Sequence, residues 1–288
     1  MVIEAPAGEE EINNTMQSLS DLGGGTLTLS EGTFIIDGPI NLISNMIMQG
    51  QGANTIIKLA DGVNQDMPLL QGENVSNVII RNLVIDGNKE NQATGTNHAI
   101  LLNYFENITI EKTIIQNCTG NGIRITGEYS IGHIVKIQNN IINNNNGNGI
   151  SCTWAQDSEI INNTIKLNGG VGINIGGYCD RIIIGVNHMI ANNQNNDGNS
   201  HIETWSFINE IKISDNICRA GYETYKPVYG VYIHQTGSPL DGNVLIINND
   251  LYQSGIDAAI RNDNPNTNFG AGNRVNDGTW IVGPDYTL

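Results

Sequence analysis

A short phrase recurs along this chain: an alternating apolar strand, an Asn-bearing turn, an apolar pair, then Gly-x-Gly-Ile opening the next strand. It reads Val135-Lys-Ile-Gln-Asn-Asn-Ile-Ile, running into Gly147-Asn-Gly-Ile-Ser. It returns as Ile160-Ile-Asn-Asn-Thr-Ile before Gly170-Val-Gly-Ile-Asn, and again as Val244-Leu-Ile-Ile-Asn-Asn-Asp-Leu. A strand-like repeat of this length means stacked β-coils, each relying on its neighbours for burial. Stacking also supplies a ruler. Residues one repeat apart become neighbours about 4.8 Å apart, so spatial columns can be read by aligning the chain with itself.

The repeat argues for a single elongated unit over residues 1–288, with regular coils over 77–263. The apolar content is mostly Ile, which suits a narrow stacked interior, and good helix formers are scarce. One helix is predicted, over 9–22, where Ile12, Met16, Leu19 and Leu22 share a stripe; it would cover the open end of the solenoid. The net charge of −16 argues against nucleic acid or an anionic membrane as partner. It also weighs against a densely anionic substrate unless a few cations collect in one groove. Cys118, Cys152, Cys179 and Cys218 occupy different coil positions and are expected to be free thiols. No stretch reads as a transmembrane span, and no signal-type apolar run follows Met1.

Aligned at the turn after each alternating strand, Leu83, Thr113, Asn140, Asn163, Asn187, Asn216 and Asn249 form one column. Buried amides at one turn of successive coils can bond to each other, which makes this column structural. Aligning the strands after the Gly-rich turns gives two inner rows. One is Ile100, Ile123, Ile150, Ile173, Ile202, Val231 and Ala258; the other is Leu102, Ile125, Cys152, Ile175, Thr204, Ile233 and Ile260. The residues between them face outward.

Gly23-Gly-Gly-Thr-Leu-Thr-Leu-Ser-Glu-Gly-Thr-Phe through Met48-Gln-Gly-Gln-Gly resembles the opening of pectate-lyase-like right-handed parallel β-helix proteins. So does Leu83-Val-Ile-Asp-Gly-Asn-Lys-Glu-Asn-Gln, followed by His98-Ala-Ile and Gly120-Asn-Gly-Ile. The resemblance implies an all-β fold, a single-stranded right-handed parallel β-helix. It also implies extracellular, cell-surface or virion-borne action on polysaccharide, by lyases, glycoside hydrolases, epimerases or phage tailspike depolymerases, alongside non-catalytic surface proteins. A virion tailspike would be a trimer. The paired-Asp and Gly-His-Gly elements of polygalacturonases, the Asp-rich calcium cluster of pectate lyases and the Tyr-Gly-Phe-Asp-Pro-His element of mannuronan epimerases have no match.

In this register one outward column reads Leu101, Arg124, Ser151, Asn174, Glu203, Tyr232, Ala259, and the next reads Asn103, Thr126, Thr153, Gly176, Trp205, His234, Arg261. No other part of the chain gathers as many chemically capable residues as Glu203, Tyr232, His234 and Arg261, with His201 just before Glu203 and Asp257 two coils on. Glu203 is the candidate acid or base, or else a solvated carboxylate; Asp257 or Asp197 is its candidate partner for a two-carboxylate hydrolysis. Tyr232, His234 and Arg261, with Asn174, also fit β-elimination on a uronate. Trp154, Trp205, Tyr178, Tyr225 and Tyr232 would stack on sugar rings, or pack against the loop at 219–229. Arg124 and His201 are further substrate-binding candidates. The leading expectation is a polysaccharide-cleaving enzyme, hydrolase ahead of lyase, with a non-catalytic carbohydrate-binding adhesin as the alternative. No cofactor is expected. Asp86-Gly-Asn-Lys-Glu carries oxygen ligands suited to Ca2+, but reads more economically as a turn.

Overall fold

The computed structural model describes residues 1–127, 132–195, 197–205, 207–234, 242–255, 257–275 and 281–282. The end of the expected unit, 276–280 and 283–288, lies outside the described residues. Strands of successive coils pair in parallel, and the coils close into one 19-stranded and one 8-stranded sheet. The reason lies in the alternation. Ile100, Ile123, Ile150, Ile173, Ile202 and Val231 sit in register on six adjacent rungs, all fully buried. Burying such a side chain stabilises by about 1.5–3 kcal/mol, and each one needs the rungs on either side to cover it.

The coils bend sharply at the Asn column. Asn139, Asn162, Val186, Asp215 and Asn248 precede its members with φ of 59, 55, 58, 60 and 57°. This left-handed conformation suits Asn and Asp and strains Val186. The bend aims the following amide inward, where Asn140 donates from Nδ2 to Asn163 Oδ1 at 3.0 Å. Asn163, Asn187 and Asn216 repeat the bond to the next coil at 3.0 Å each, and Asn249 extends it to Asn273 at 3.1 Å. At the other end Thr113 Oγ1 donates to Asn140 Oδ1 at 2.7 Å. A second ladder, not seen in the sequence, links Asn145 to Asn168 and Asn168 to Asn192, at 3.0 and 2.9 Å.

The helix runs Glu9–Asp21, and buries Ile12, Met16 and Leu19 against the strands Gly25–Leu29 and Ile40–Asn41. Leu22 is its C-cap and exposed, so the expected stripe loses its fourth member. All four cysteines are free and buried. No helix among the described residues is long and apolar enough to cross a membrane.

Candidate functional site

Asn174, Glu203 and Tyr232 occupy one outward column on three adjacent rungs, as the spacing predicts. The next rung departs from it. Arg261 pairs with Tyr232, Ile260 with Val231 and Asn262 with Ile233, two residues away from the expected alignment of Ala259 with Tyr232. A two-residue slip keeps every side chain on its own face, so alternation could not detect it. Asn262, buried in the inner row, accepts from Thr267 Oγ1 at 2.8 Å and from the Asn264 N–H at 3.2 Å, which satisfies a polar group at an interior position. Arg261 therefore joins Glu203 and Tyr232, and Asp263 takes the place beside His234. Asp257 is displaced from the patch. It is exposed ahead of the paired strand, with its N–H on Val228 O, and lies four residues before Arg261.

Trp205, His234, Tyr232 and Arg261 form a single pile. The Trp205 and His234 ring centroids are 3.6 Å apart, those of His234 and Tyr232 3.4 Å, and the Arg261 guanidinium carbon lies 4.7 Å from the Tyr232 centroid. Tyr229 meets Tyr232 edge-on at 5.5 Å and accepts a bond from Arg261 Nη1 at 3.3 Å. Both faces of His234 are thereby covered. Trp205 differs, because its neighbour on the preceding rung is Gly176. A Cβ at Gly176 would meet Trp205 Cβ at 3.0 Å; without one, Trp205 packs close over the buried glycine and stays 42% exposed itself.

Glu203 lies beneath this pile and is only 3% exposed, so it is no solvated carboxylate. Its Oε1 accepts the Ser200 N–H at 2.7 Å, and its Oε2 lies 3.4 Å from His234 Nε2. That spacing is an ionic contact rather than a well-formed hydrogen bond. His234 Nε2 is itself buried and makes no hydrogen bond to a described residue. The Glu203 carboxylate beside the imidazole fixes the ring's orientation. On the far side, Asp263 Oδ2 accepts from Tyr232 Oη at 2.9 Å and from Arg261 Nε at 3.3 Å. Burial first, then the Asp263 carboxylate, push the Tyr232 phenol up to about 12, so it stays a proton donor at neutral pH. Sequence reasoning missed Asp263. The signal available was its place two residues beyond Arg261, visible only once the slip is allowed.

The remaining candidates are dispersed. His201 is fully buried and ends the second ladder, with Nδ1 3.1 Å from Asn192 Nδ2 and Nε2 2.9 Å from Arg219 O. These partners fit a neutral ring protonated at Nε2, and burial pushes its pKa down to about 3. Such a ring cannot reach a substrate. Trp154 stacks on Tyr178 at 4.1 Å and Tyr178 on Phe207 at 4.3 Å, each at a left-handed bend with φ of 59, 68 and 61°. Tyr178, between the other two, has a ring against each of its faces and none left for a sugar. Phe207 was not singled out in the sequence. Arg124 is exposed on the same outward column, three rungs before Glu203, in a cleft of about 430 Å³ with Glu73 and Tyr104. Asp197 is exposed on the loop entering the Glu203 strand, and Tyr225 is exposed on the 219–229 loop. Asp86 spends its oxygens within the fold, on the Asn88 N–H at 2.8 Å, Gln116 Nε2 at 2.8 Å and Asn117 Nδ2 at 3.0 Å. The left-handed residue of that turn is Asn88 (φ 51°); Gly87 is there for clearance, since a Cβ would meet Cys118 Cα at 2.5 Å.

Comparison with known proteins agrees with this architecture. The family model described as "right handed beta helix region" matches residues 28–193 and 69–273. The chain belongs to the right-handed parallel β-helix superfamily. Among solved structures it is similar to the alginate lyase from Paenibacillus sp. str. FPU-7, at 15% identity over 97% of each chain with a TM-score of 0.74. It is also similar to the polygalacturonase from Erwinia carotovora ssp. carotovora, at 11% identity over 98% of this chain and 96% of that one, TM-score 0.59. A third is the tailspike gp49 of Acinetobacter baumannii bacteriophage Fri1, a capsular polysaccharide depolymerase, at 12% identity over 94% of this chain and 59% of that one, TM-score 0.56. At these identities the likeness is one of fold. No curated protein matches the chain.

Proposed function

We propose that this protein is a polysaccharide-cleaving enzyme that works outside the cell or on a virion, with its sugar chain lying across the outward strand face over Trp205, His234 and Arg261. The observation that carries the proposal is the buried Glu203–His234 contact at the foot of the Trp205–His234–Tyr232–Arg261 pile. The occurrence of the fold in alginate lyase, polygalacturonase and a tailspike depolymerase supports the substrate class.

The arrangement favours β-elimination on a uronate over the hydrolysis expected from sequence. Hydrolysis needs two carboxylates flanking the glycosidic bond, and Glu203 is too deeply covered to touch one. In elimination Glu203 instead acts through His234. Neutral His234 takes the C5 proton, the electron pair forms the C4–C5 double bond, and the C4–O bond breaks. The leaving oxygen is protonated by Tyr232, and the Glu203 carboxylate stabilises the imidazolium. Arg261 neutralises the uronate carboxylate, which makes the C5 proton acidic. A sugar on the neighbouring rung rests against the exposed Trp205 indole. Hydrolysis remains the second reading because Asp263 places an accessible carboxylate in the patch.

The test is a panel of acidic and neutral polysaccharides assayed in parallel for new reducing ends and for the ultraviolet absorbance of unsaturated uronate. Absorbance that rises with the reducing ends supports elimination. Reducing ends without absorbance make it a hydrolase, and glycan binding with no cleavage anywhere on the panel makes it an adhesin.

A further inference from the structure

A groove of about 740 Å³ opens over the eight-stranded sheet, not over the Glu203–His234 face. Its floor follows the turn column Leu167, Ala191 and Ala220 on three adjacent rungs, widened by Ile190. Lys166 and Lys226 flank it, and neither forms an ion pair with a described residue. Arg219 is the third cation, tied to Asp250 at 2.6 Å. In a chain of net charge −16, three of only 13 Lys and Arg meet in this one place. At the rim Tyr222 stands with its ring wholly in solvent.

The groove runs on into a second of about 290 Å³, which shares Leu167 and Glu223 with it. The lining there is amide-rich, from Asn144, Asn146, Gln194 and Asn195, and Lys89 Nζ bridges Asn144 and Asn146 at 3.0 Å each. Apolar floor, amide walls, an exposed aromatic ring and unpaired ammonium groups are complementary to one ligand chemistry. Sugar C–H faces take the floor and Tyr222, hydroxyls donate to the amide oxygens of Gln194 and Asn195, whose Nε2 and Nδ2 already bond to backbone carbonyls, and carboxylates or sulfates take the lysines. Glu223, at the junction, opposes an anion there and leaves the Lys166–Lys226 end as the charged one.

We propose that this composite groove is a second, non-catalytic binding site for an acidic oligosaccharide, held on Tyr222 by stacking and on Lys166 and Lys226 by charge. A polymer anchored there stays at high local concentration near the Glu203–His234 face while that face acts on another segment. The proposal stands on the groove alone and does not require the reaction assigned to His234.

The test uses the His234→Ala protein, in which the groove is untouched. It is titrated calorimetrically with size-defined oligosaccharides of alginate, polygalacturonate and hyaluronan, and with neutral dextran. The same titrations follow in His234→Ala carrying Lys166→Ala and Lys226→Ala, or Tyr222→Ala. At least one acidic oligosaccharide is expected to bind, roughly 10-fold more weakly without the lysines, more weakly without Tyr222, and with an affinity that falls as salt is added. Dextran is expected not to bind. Binding by none of the acidic chains, binding indifferent to the groove substitutions, or equal binding of dextran overturns the proposal. Cleavage by the unsubstituted protein is scored separately, so loss of the enzymatic reading leaves this result intact.

Discussion

The Asn140–Asn273 edge and the Glu203 patch are built alike, from polar side chains on successive rungs of one solenoid, yet they differ in how those groups are satisfied. Along the edge every amide meets an identical amide one coil away, at 3.0–3.1 Å, and its second proton goes to a backbone carbonyl such as Ile137 O or Ile160 O. Around Glu203 each rung contributes a different residue, and the buried His234 Nε2 finds only a 3.4 Å contact. A repeated, fully bonded column lowers the energy of the fold. A heterogeneous column with an unmet bond costs stability, and such a cost persists where a site needs the group. The same regularity that makes the first column easy to recognise makes the second stand out.

Substitutions on either side of this contrast should behave oppositely. His234→Ala is expected to cut cleavage by roughly 10²–10⁴-fold, the range of a lost general base, while thermal unfolding stays near that of the parent. Asn187→Ala should do the reverse. It removes the acceptor for the Asn163 amide and leaves buried donors unpaired, for a loss of about 3 kcal/mol by denaturant titration, with the folded fraction still active at its normal rate.

His201 sharpens the comparison because it ends an Asn ladder with a titratable ring. Its folded pKa is depressed to about 3 while the unfolded ring titrates near 6.5, so protons bind the unfolded chain first. Its contribution is therefore constant above pH 6.5 and is lost as pH falls, at about 1.4 kcal/mol per unit below that point. His201→Asn should flatten the acid limb of stability relative to the parent, and an identical pH profile for both would contradict the assignment. The smallest effect is expected at Gly176→Leu. A side chain there meets Trp205 Cβ and shifts the indole away from the sugar, which should raise KM about 10-fold with kcat little changed.

The sequence made the ladder legible because an identical residue at an identical turn survives any error in counting. It showed the Glu203–Tyr232 register for the same reason, since Ile202 and Val231 anchor the inner row. The last coil was misread because Ala258, Ile260 and Asn262 alternate equally well in two alignments, and only the buried bonds of Asn262 choose between them. That choice moved Arg261 onto Tyr232, brought in Asp263 and removed Asp257. Burial was the other blind spot. An outward strand position does not reveal that rings from the next rung will fold over it, as Tyr232 and His234 do over Glu203. His201, a substrate-binding candidate from its place just before Glu203, is instead the buried terminus of the Asn145–Asn168–Asn192 ladder.

The central claim is that Glu203 works through His234 rather than on the sugar itself, and Glu203→Gln tests it most directly. The isosteric amide can keep the Ser200 N–H bond but carries no charge to stabilise an imidazolium. Initial rates of the parent and this variant, measured on whichever polysaccharide the panel identifies, should differ by at least about 100-fold, with KM and thermal stability nearly unchanged. A Glu203→Gln protein that cleaves at the parental rate would contradict the account.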